Sequence, residues 1–224
     1  MELVINFSGG KDSSATLAYI CENFPDAKKH VVWADTGWEH PGMEKWCRSI
    51  TDMFGLKLNV VRAKTDWFGI VRHRQMFPSP DCRICTSDLK RNQLDKWIRN
   101  NTTESVVYDV IGIRAEESAA RAKKMPMEIN YRISCGKRVV WNWLPILQWK
   151  EQEVYGYLDG MGIPLHPCYD YLSRLSCQVC IYNPSKELEA IRVNNPKAID
   201  TIAELESEIG FTMKPGKGIY QACR

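Results

Sequence analysis

The sequence predicts an α/β fold: a doubly wound, mostly parallel sheet with helices on both faces and a cysteine-bearing C-terminal extension. Three observations predict it. Apolar strand-like runs alternate with helically spaced segments over residues 1–150. The first such run opens directly into a Ser-Gly-Gly turn. Beyond residue 150 the strand signal fades while the cysteines continue. The expected organisation is an α/β domain over 1–150 and a helical and loop-like extension over 151–224, packed on the same domain.

The elements follow in order. Leu3–Phe7 is a short apolar strand, and Ser14–Glu22 carries Leu17, Ala18 and Cys21 at helical spacing. Val31–Ala34 is a second strand, closed by Asp35-Thr36-Gly37. Pro41 opens a helix running to about Phe54. Leu56–Val61 is a third strand, Leu89–Ile98 a helix, Val106–Ile113 a fourth strand and Val139–Pro145 a fifth. Glu151–Gly160 reads as a helix, and Pro164–Asn183 as a loop with three cysteines. Ser185–Ile209 is helical with a break near Asn194-Asn195-Pro196, and Met213–Arg224 is a Gly/Lys-rich tail.

Composition narrows the class. The 224 residues are 44% hydrophobic and 25% charged, which excludes general disorder. Lys+Arg 30 against Asp+Glu 27 leaves +3, a balance that does not demand nucleic acid. No apolar run approaches the ~20 residues that cross a bilayer, and the first residues lack a basic leader. A cytoplasmic protein with no membrane partner is expected, with room for a homodimer. The nine cysteines are odd in number. Without an export signal they point to metal binding or redox chemistry rather than a disulfide framework.

Ser8-Gly9-Gly10-Lys11-Asp12-Ser13 joins the first strand to the first helix. The glycines permit a tight turn, and the amides there, with the positive helix end, form an anion cradle. Lys11 adds a point charge, and Ser8 and Ser13 add hydroxyls. Ligands of open parallel sheets bind beyond such strand ends.

This segment resembles the PP-loop, S-G-G-x-D-S, of the adenine-nucleotide alpha-hydrolase families. Val32–Glu39, Gly112-Ile113-Arg114-Ala115-Glu116-Glu117-Ser118 with Arg121, and Trp143–Val154 are similar to segments of the phosphoadenosine phosphosulfate (PAPS) reductase family. The resemblance implies a Rossmann-like, adenine nucleotide alpha-hydrolase-like sheet. It also implies an adenine nucleotide substrate (PAPS, its unphosphorylated analogue APS, or ATP). Ser8, Gly9, Gly10, Lys11, Asp12 and Ser13 would hold phosphates, Asp35 the nucleoside, and Gly112, Arg114 and Arg121 the sulfate or phosphate end. Arginine suits that last role through bidentate pairing.

Two C-x-x-C pairs, Cys82/Cys85 and Cys177/Cys180, can each bring two thiolates to one metal centre, and Cys168 precedes the second pair by nine positions. Spacing alone does not choose zinc or iron–sulfur. Cys85-Thr86-x-x-Leu89-Lys90 and Cys168-x8-Cys177-x2-Cys180 resemble the cysteine segments of iron–sulfur members of the family. The resemblance implies a [4Fe-4S] cluster on Cys85, Cys168, Cys177 and Cys180, with Cys82 as the reserve ligand and zinc as the alternative. The family's adjacent Cys-Cys pair is split here. Lys90 either carries charge toward the substrate or is a solvated helix lysine.

Reductases of this family use a cysteine on a mobile C-terminal tail and a thioredoxin-type reductant. Cys223 is the candidate nucleophile, with Lys11 as the charged catalytic partner, although the family's E-C-G-x-H tail is absent. The expected activity is reduction of an adenylylated sulfate to sulfite. A second reading is ATP-dependent sulfur transfer to tRNA or the DNA backbone, served by basic residues between Arg114 and Arg138. A third is a non-catalytic nucleotide-binding or cluster-sensing protein.

Overall fold

The computed structural model describes residues 1–224. Six strands form one sheet: β1 (Glu2–Phe7), β2 (Lys28–Asp35), β3 (Leu58–Arg62), β4 (Val106–Ile111), β5 (Met127–Ile129) and β6 (Val139–Trp143), in the order β3-β2-β1-β4-β6-β5. β1 runs parallel to both β2 and β4, and β4 parallel to β6. Only the β5–β6 edge is recorded as antiparallel. The strand order reverses between β1 and β4, so the crevice that such sheets use for ligands opens at their carboxyl ends. β1 is buried at five of its six residues, as a strand covered on both faces must be.

The helices are α1 (Lys11–Asn23), α2 (Met43–Asp52), α3 (Trp67–Arg74), α4 (Asn92–Asn101), α5 (Ala119–Ala122), α6 (Glu151–Gly160), α7 (Ser185–Asn194), α8 (Pro196–Ile209) and α9 (Ile219–Ala222). Several boundaries differ from the sequence expectation for identifiable reasons. β2 begins at Lys28 because Lys28 and His30 both reach the buried carboxylate of Glu2, at 2.7 and 2.8 Å. The fifth expected strand ends at Trp143, where Leu144 turns to bond the carbonyl of Pro126. β5 is a three-residue strand held by pairing with β6, and α3 is capped by Asp66, which accepts from the Gly69 amide at 2.8 Å. The helix expected at Leu89 starts earlier, as a π-helical turn over Cys85–Arg91.

Compactness groups the chain into two units, each discontinuous in sequence. The first comprises 1–34, 42–61 and 93–166 and holds most of the sheet, with α1, α2, α5 and α6; the second comprises 35–41, 62–92 and 167–224. In the first unit Val4, Val32, Val107, Val140, Ile98 and Ile133 form an apolar layer. In the second, Trp38 stacks on Trp67 at 5.5 Å, and a core of Leu172, Leu188, Ile191, Ile199, Ile202 and Leu205 is built from its loops, α7 and α8.

One polar pair interrupts the first unit's interior. Asp109 on β4 accepts from the Asn6 side chain at 2.6 Å, and Asn6 Oδ1 is buried without a partner. Desolvation pushes the Asp109 carboxyl up from 3.8 to about 7, against the opposing Asn6 hydrogen bond. The folded chain therefore keeps a proton that the unfolded chain releases. Stability is predicted to fall as pH rises from 3.8 to about 7 and then to level off. Asp109→Asn should remove that decline in a series of melting temperatures against pH. A variant profile that still falls over the same range would assign the slope to another group.

Candidate functional site

In the first unit the loop after β1 closes on itself. Ser8 and Ser13 hydroxyls lie 3.0 Å apart, Ser13 Oγ accepts from the Ser8 amide at 3.2 Å, and it donates to the Gly10 carbonyl at 2.9 Å. Gly9 adopts φ +72°, the left-handed region that favours glycine. A Cβ at Gly9 would meet Met43 Cε at 2.3 Å and Cys47 Sγ at 2.9 Å. From the same helix, α2, the Trp46 indole donates to the Gly9 carbonyl at 3.0 Å. α2 thus braces the turn, and the amino end of α1 follows it directly.

Two cations attend this loop, and both are held by carboxylates. Lys11, 4% exposed, lies 3.2 Å from Glu151 at the start of α6 and 3.9 Å from Asp12. Arg114, 3% exposed, donates through Nε to Asp12 at 2.5 Å and pairs with Glu116. Burial pulls the Arg114 guanidinium down, but Asp12 and Glu116 together hold it above its ordinary value. Arg114 sits just past β4, and the close approach is possible because Gly112 lacks a side chain. A Cβ there would meet Thr16 Oγ1 at 2.6 Å and the Asp12 carbonyl at 2.8 Å. The structure thus brings together Ser8, Gly9, Gly10, Lys11, Asp12, Ser13, Gly112 and Arg114. Arg121, on α5, is half-exposed and paired with Glu117.

Asp35 lies in the second unit, at the end of β2. Its Oδ1 accepts from the Gly37 amide at 2.9 Å and its Oδ2 from Arg62 at 2.7 Å, so both oxygens are engaged. Burial raises this carboxyl, but Gly37 and Arg62 win and hold it below the usual range. It borders a cleft of about 440 Å³ with Thr36, Arg62, Lys64 and Asp66.

The cysteines also gather in the second unit. Cys177 bridges to Glu39 as an isolated β-pair, the Gln178 amide donates to the Trp38 carbonyl at 3.0 Å, and Trp38 Nε1 donates to the Val179 carbonyl at 3.1 Å. Burial pulls the Lys90 ammonium down. Its neighbours Cys177, Glu39, Cys85 and Cys180 together raise it above the ordinary lysine value. Lys90 lies 3.8 Å from Glu39. Burial pushes the Cys177 thiol up to about 12, with Lys90 opposing. Cys85, Cys177 and Cys180 thus share one electrostatic neighbourhood around Lys90, which answers what that lysine faces. Cys168 is buried in the same apolar core, against which Cys85 and Cys177 pack. Cys82 is exposed, its amide donating to Ser79 Oγ at 3.0 Å. No three His, Cys, Asp or Glu side chains converge on a single-ion position.

Cys223 lies at the end of the short helix α9 rather than on an extended tail. It is 1% exposed, and burial pushes its thiol up. Part of the basic run between Arg114 and Arg138 is ion-paired: Arg132 pairs with Asp95 and Lys124 with Glu128, while Arg138 keeps its charge and donates to the carbonyls of Ile98 and Arg99. Glu151, Trp46, Glu116 and Glu39 carry parts of these sites that sequence reading assigned no role. Their partners are set by tertiary contact, and only the position of Glu151 in a first helical turn hinted at a charge there.

The turn itself is testable. Gly9→Ala should lower the melting temperature, by strain of about 1–3 kcal/mol. It should also weaken adenine-nucleotide binding about tenfold or more in calorimetry, whereas Gly136→Ala, which opens into free space, should change neither. Equal binding by both variants would remove the turn from the site.

Comparison with known proteins places the chain in a family. The family model described as phosphoadenosine phosphosulfate reductase domain matches residues 2–181. An uncharacterised 37.8 kDa protein from the gpa 5' region of Escherichia phage 186 is 26% identical, over 97% of this chain and 78% of that protein. The phosphoadenosine 5'-phosphosulfate reductase of Sodalis glossinidius is also 26% identical, over 77% of this chain and 68% of that protein. Among solved structures, the U34-tRNA thiolase NcsA of Methanococcus maripaludis with its [4Fe-4S] cluster superposes with a TM-score of 0.58 at 15% identity, covering 100% of this chain and 80% of that one. At that identity the likeness is one of fold.

Proposed function

The chain belongs to the phosphoadenosine phosphosulfate reductase family, and from that premise we propose that it binds an adenylylated sulfate, PAPS or APS, and reduces it to sulfite. The observation that carries the reading is the closed Ser8–Ser13 turn with Lys11 and Arg114 buried beside it. Phosphates would bind at the turn and at the α1 amides. Lys11 and Arg114 would exchange part of their pairing with Asp12, Glu116 and Glu151 for the ligand's oxygens. Glu151, half-exposed, has room to move aside. The same cations would then offset the charge that develops on the departing adenosine phosphate. Two electrons are required for each sulfite, and a thioredoxin-type dithiol would supply them by becoming a disulfide.

The thiols of Cys85, Cys177 and Cys180, with Cys168 in the same core, suit a [4Fe-4S] cluster. Each thiolate can hold a different iron, so the set need not converge on one ion. When bound, such a cluster supplies electrostatic stabilisation and iron–sulfur chemistry to the second unit. Its binding would take the proton's place on Cys177, whose burial otherwise keeps the thiol neutral.

Burial of Cys223 favours a second reading. Attack by that thiol would require α9 to leave a core in which Ile219 is fully buried, at a cost of about 2 kcal/mol for the isoleucine alone. ATP-dependent sulfur transfer has no such requirement. There an oxygen of a nucleic acid is adenylated with release of pyrophosphate, and sulfide then displaces AMP, its sulfur taking the place of that oxygen. A [4Fe-4S] tRNA thiolase shares the fold.

The decisive experiment incubates anaerobic protein with PAPS and thioredoxin, and in parallel with ATP, a sulfide donor and tRNA or DNA. Sulfite in the first arm supports reduction. Pyrophosphate release that depends on nucleic acid supports transfer, and binding without product supports a non-catalytic protein. Cys223→Ala should abolish sulfite under the tail mechanism and leave sulfur transfer unaffected. Cys177→Ser should bleach the brown absorbance of the anaerobic protein; an unchanged spectrum removes Cys177 from the ligand set.

A further inference from the structure

Beside Cys180 the second unit presents a cationic, aromatic surface that the nucleotide chemistry leaves unused. Tyr182 is 41% exposed, and the guanidinium carbons of Arg83 and Arg174 lie 5.4 and 5.3 Å from its ring centroid. Both arginines are exposed, and Arg174 has Glu187 in its electrostatic neighbourhood. The carboxylate near Arg174 is Glu187, but its oxygens are occupied: Oε1 accepts from the Ser173 amide and hydroxyl, and Oε2 from Asn183. Arg174 also approaches Cys180 Sγ at 3.7 Å, so the surface adjoins the gathered thiols.

The surface is held rigid from beneath. Buried Asn183 accepts from the Cys180 amide at 2.6 Å, and Lys214 Nζ donates to the carbonyls of Ile181 and Asn183 at 2.6 and 2.7 Å. The backbone of the 180–183 turn is therefore anchored, with the Tyr182 side chain exposed on it. A guanidinium stacked on a ring keeps its in-plane N–H groups for phosphate oxygens, while ring and guanidinium faces both accept a stacked base.

We propose that Tyr182, Arg83 and Arg174 form a docking site for single-stranded nucleic acid, with a base stacking on the group and phosphates on the two arginines. An acidic protein would engage the charges and have little use for the ring; a nucleotide chain uses both. The inference goes beyond the reductase reading. Where it names the substrate class of sulfur transfer it rests on that reading, so binding is measured apart from turnover and each can fail alone.

The test is fluorescence anisotropy of labelled oligothymidylate and oligouridylate with the whole protein. Tyr182→Ala should weaken binding about tenfold, within the range for loss of one stacked base, and Tyr182→Phe should restore it. Arg83→Gln should lower the slope of log affinity against log salt by about 0.7, one phosphate contact on a single strand. A melting temperature matching the parent's shows that each variant is folded. If Tyr182→Ala does not fold, Tyr182→Phe and Arg83→Gln still decide through affinity and slope. No measurable oligonucleotide binding by the parent protein overturns the proposal. So does equal affinity for polyglutamate with no effect of Tyr182→Ala, which would mark a general anionic or acidic-protein surface.

Discussion

The ion pair between Arg114 and Asp12 is the constraint on which the nucleotide end of the fold depends. A guanidinium as deeply buried as this one must be paired, and loss of one partner of such a pair costs about 3–5 kcal/mol. Arg114 leaves the end of β4, Asp12 opens α1 after β1, and the two strands are neighbours at the point where the strand order reverses. The pair therefore fastens the two strand ends that frame the crevice. It also explains Gly112, since any side chain there would hold α1 away from the arginine. Glu116 and Glu151 complete the charge balance, so the cations of the site are already ordered when a phosphate arrives. Under the proposed function an anion would exchange partners within a prepared array and would not have to assemble one.

Charge compensation also shapes the second unit, with the signs reversed. There the groups that require a partner are potential thiolates, and the partner is Lys90, with Glu39 balancing it. The arrangement depends on the 35–41 segment, which bonds along 177–179 through Trp38 and Glu39. The residues that follow β2 therefore serve the cysteine loop as well as the strand end. The engaged carboxylate of Asp35 belongs to this turn, which is why both its oxygens already have partners.

What the sequence discloses and what it hides follow from the range of each interaction. The Gly-Gly turn is local: Gly9 and Gly10 announce it, and Ser8 and Ser13 close it five residues apart. Glu151–Gly160 is read correctly to the residue, because a helical period with acids in its first turn carries its own signal. Asn195 before Pro196 likewise marks the break between α7 and α8. β5 is legible only through its partner strand, and α3 carries a glycine at its centre that weakens its pattern. Within the sites, Trp46 reaches Gly9 across 37 positions and Glu151 reaches Lys11 across 140, distances over which single-sequence patterns say nothing. Along 114–138 the pairs of Arg114 with Asp12 and Arg132 with Asp95 reach across the fold and carry no local sequence signal.

The fates of the cysteines separate by the same electrostatics. A thiol becomes nucleophilic or metal-binding when its thiolate is stabilised, and desolvation alone does the opposite. Cys47 is packed against Gly9 and Cys223 directly follows α9, and both are buried. Arg192 pulls the Cys223 thiol down, but burial and the nearby Glu189 outweigh it, and Arg192 is itself paired with Glu189. Cys85, Cys177 and Cys180 instead share a lysine, and Cys180 adds the guanidinium of Arg174 at its sulfur. Cys177 and Cys223 are both pushed up by burial, and they differ in their neighbours: a lysine beside Cys177, and a glutamate with its paired arginine beside Cys223. A reductase that works through a mobile terminal thiol and an enzyme that works through a fixed thiol set would place their charges differently. In the second unit the buried Lys90 sits among Cys85, Cys177 and Cys180, whereas the arginine beside Cys223 is already paired with Glu189.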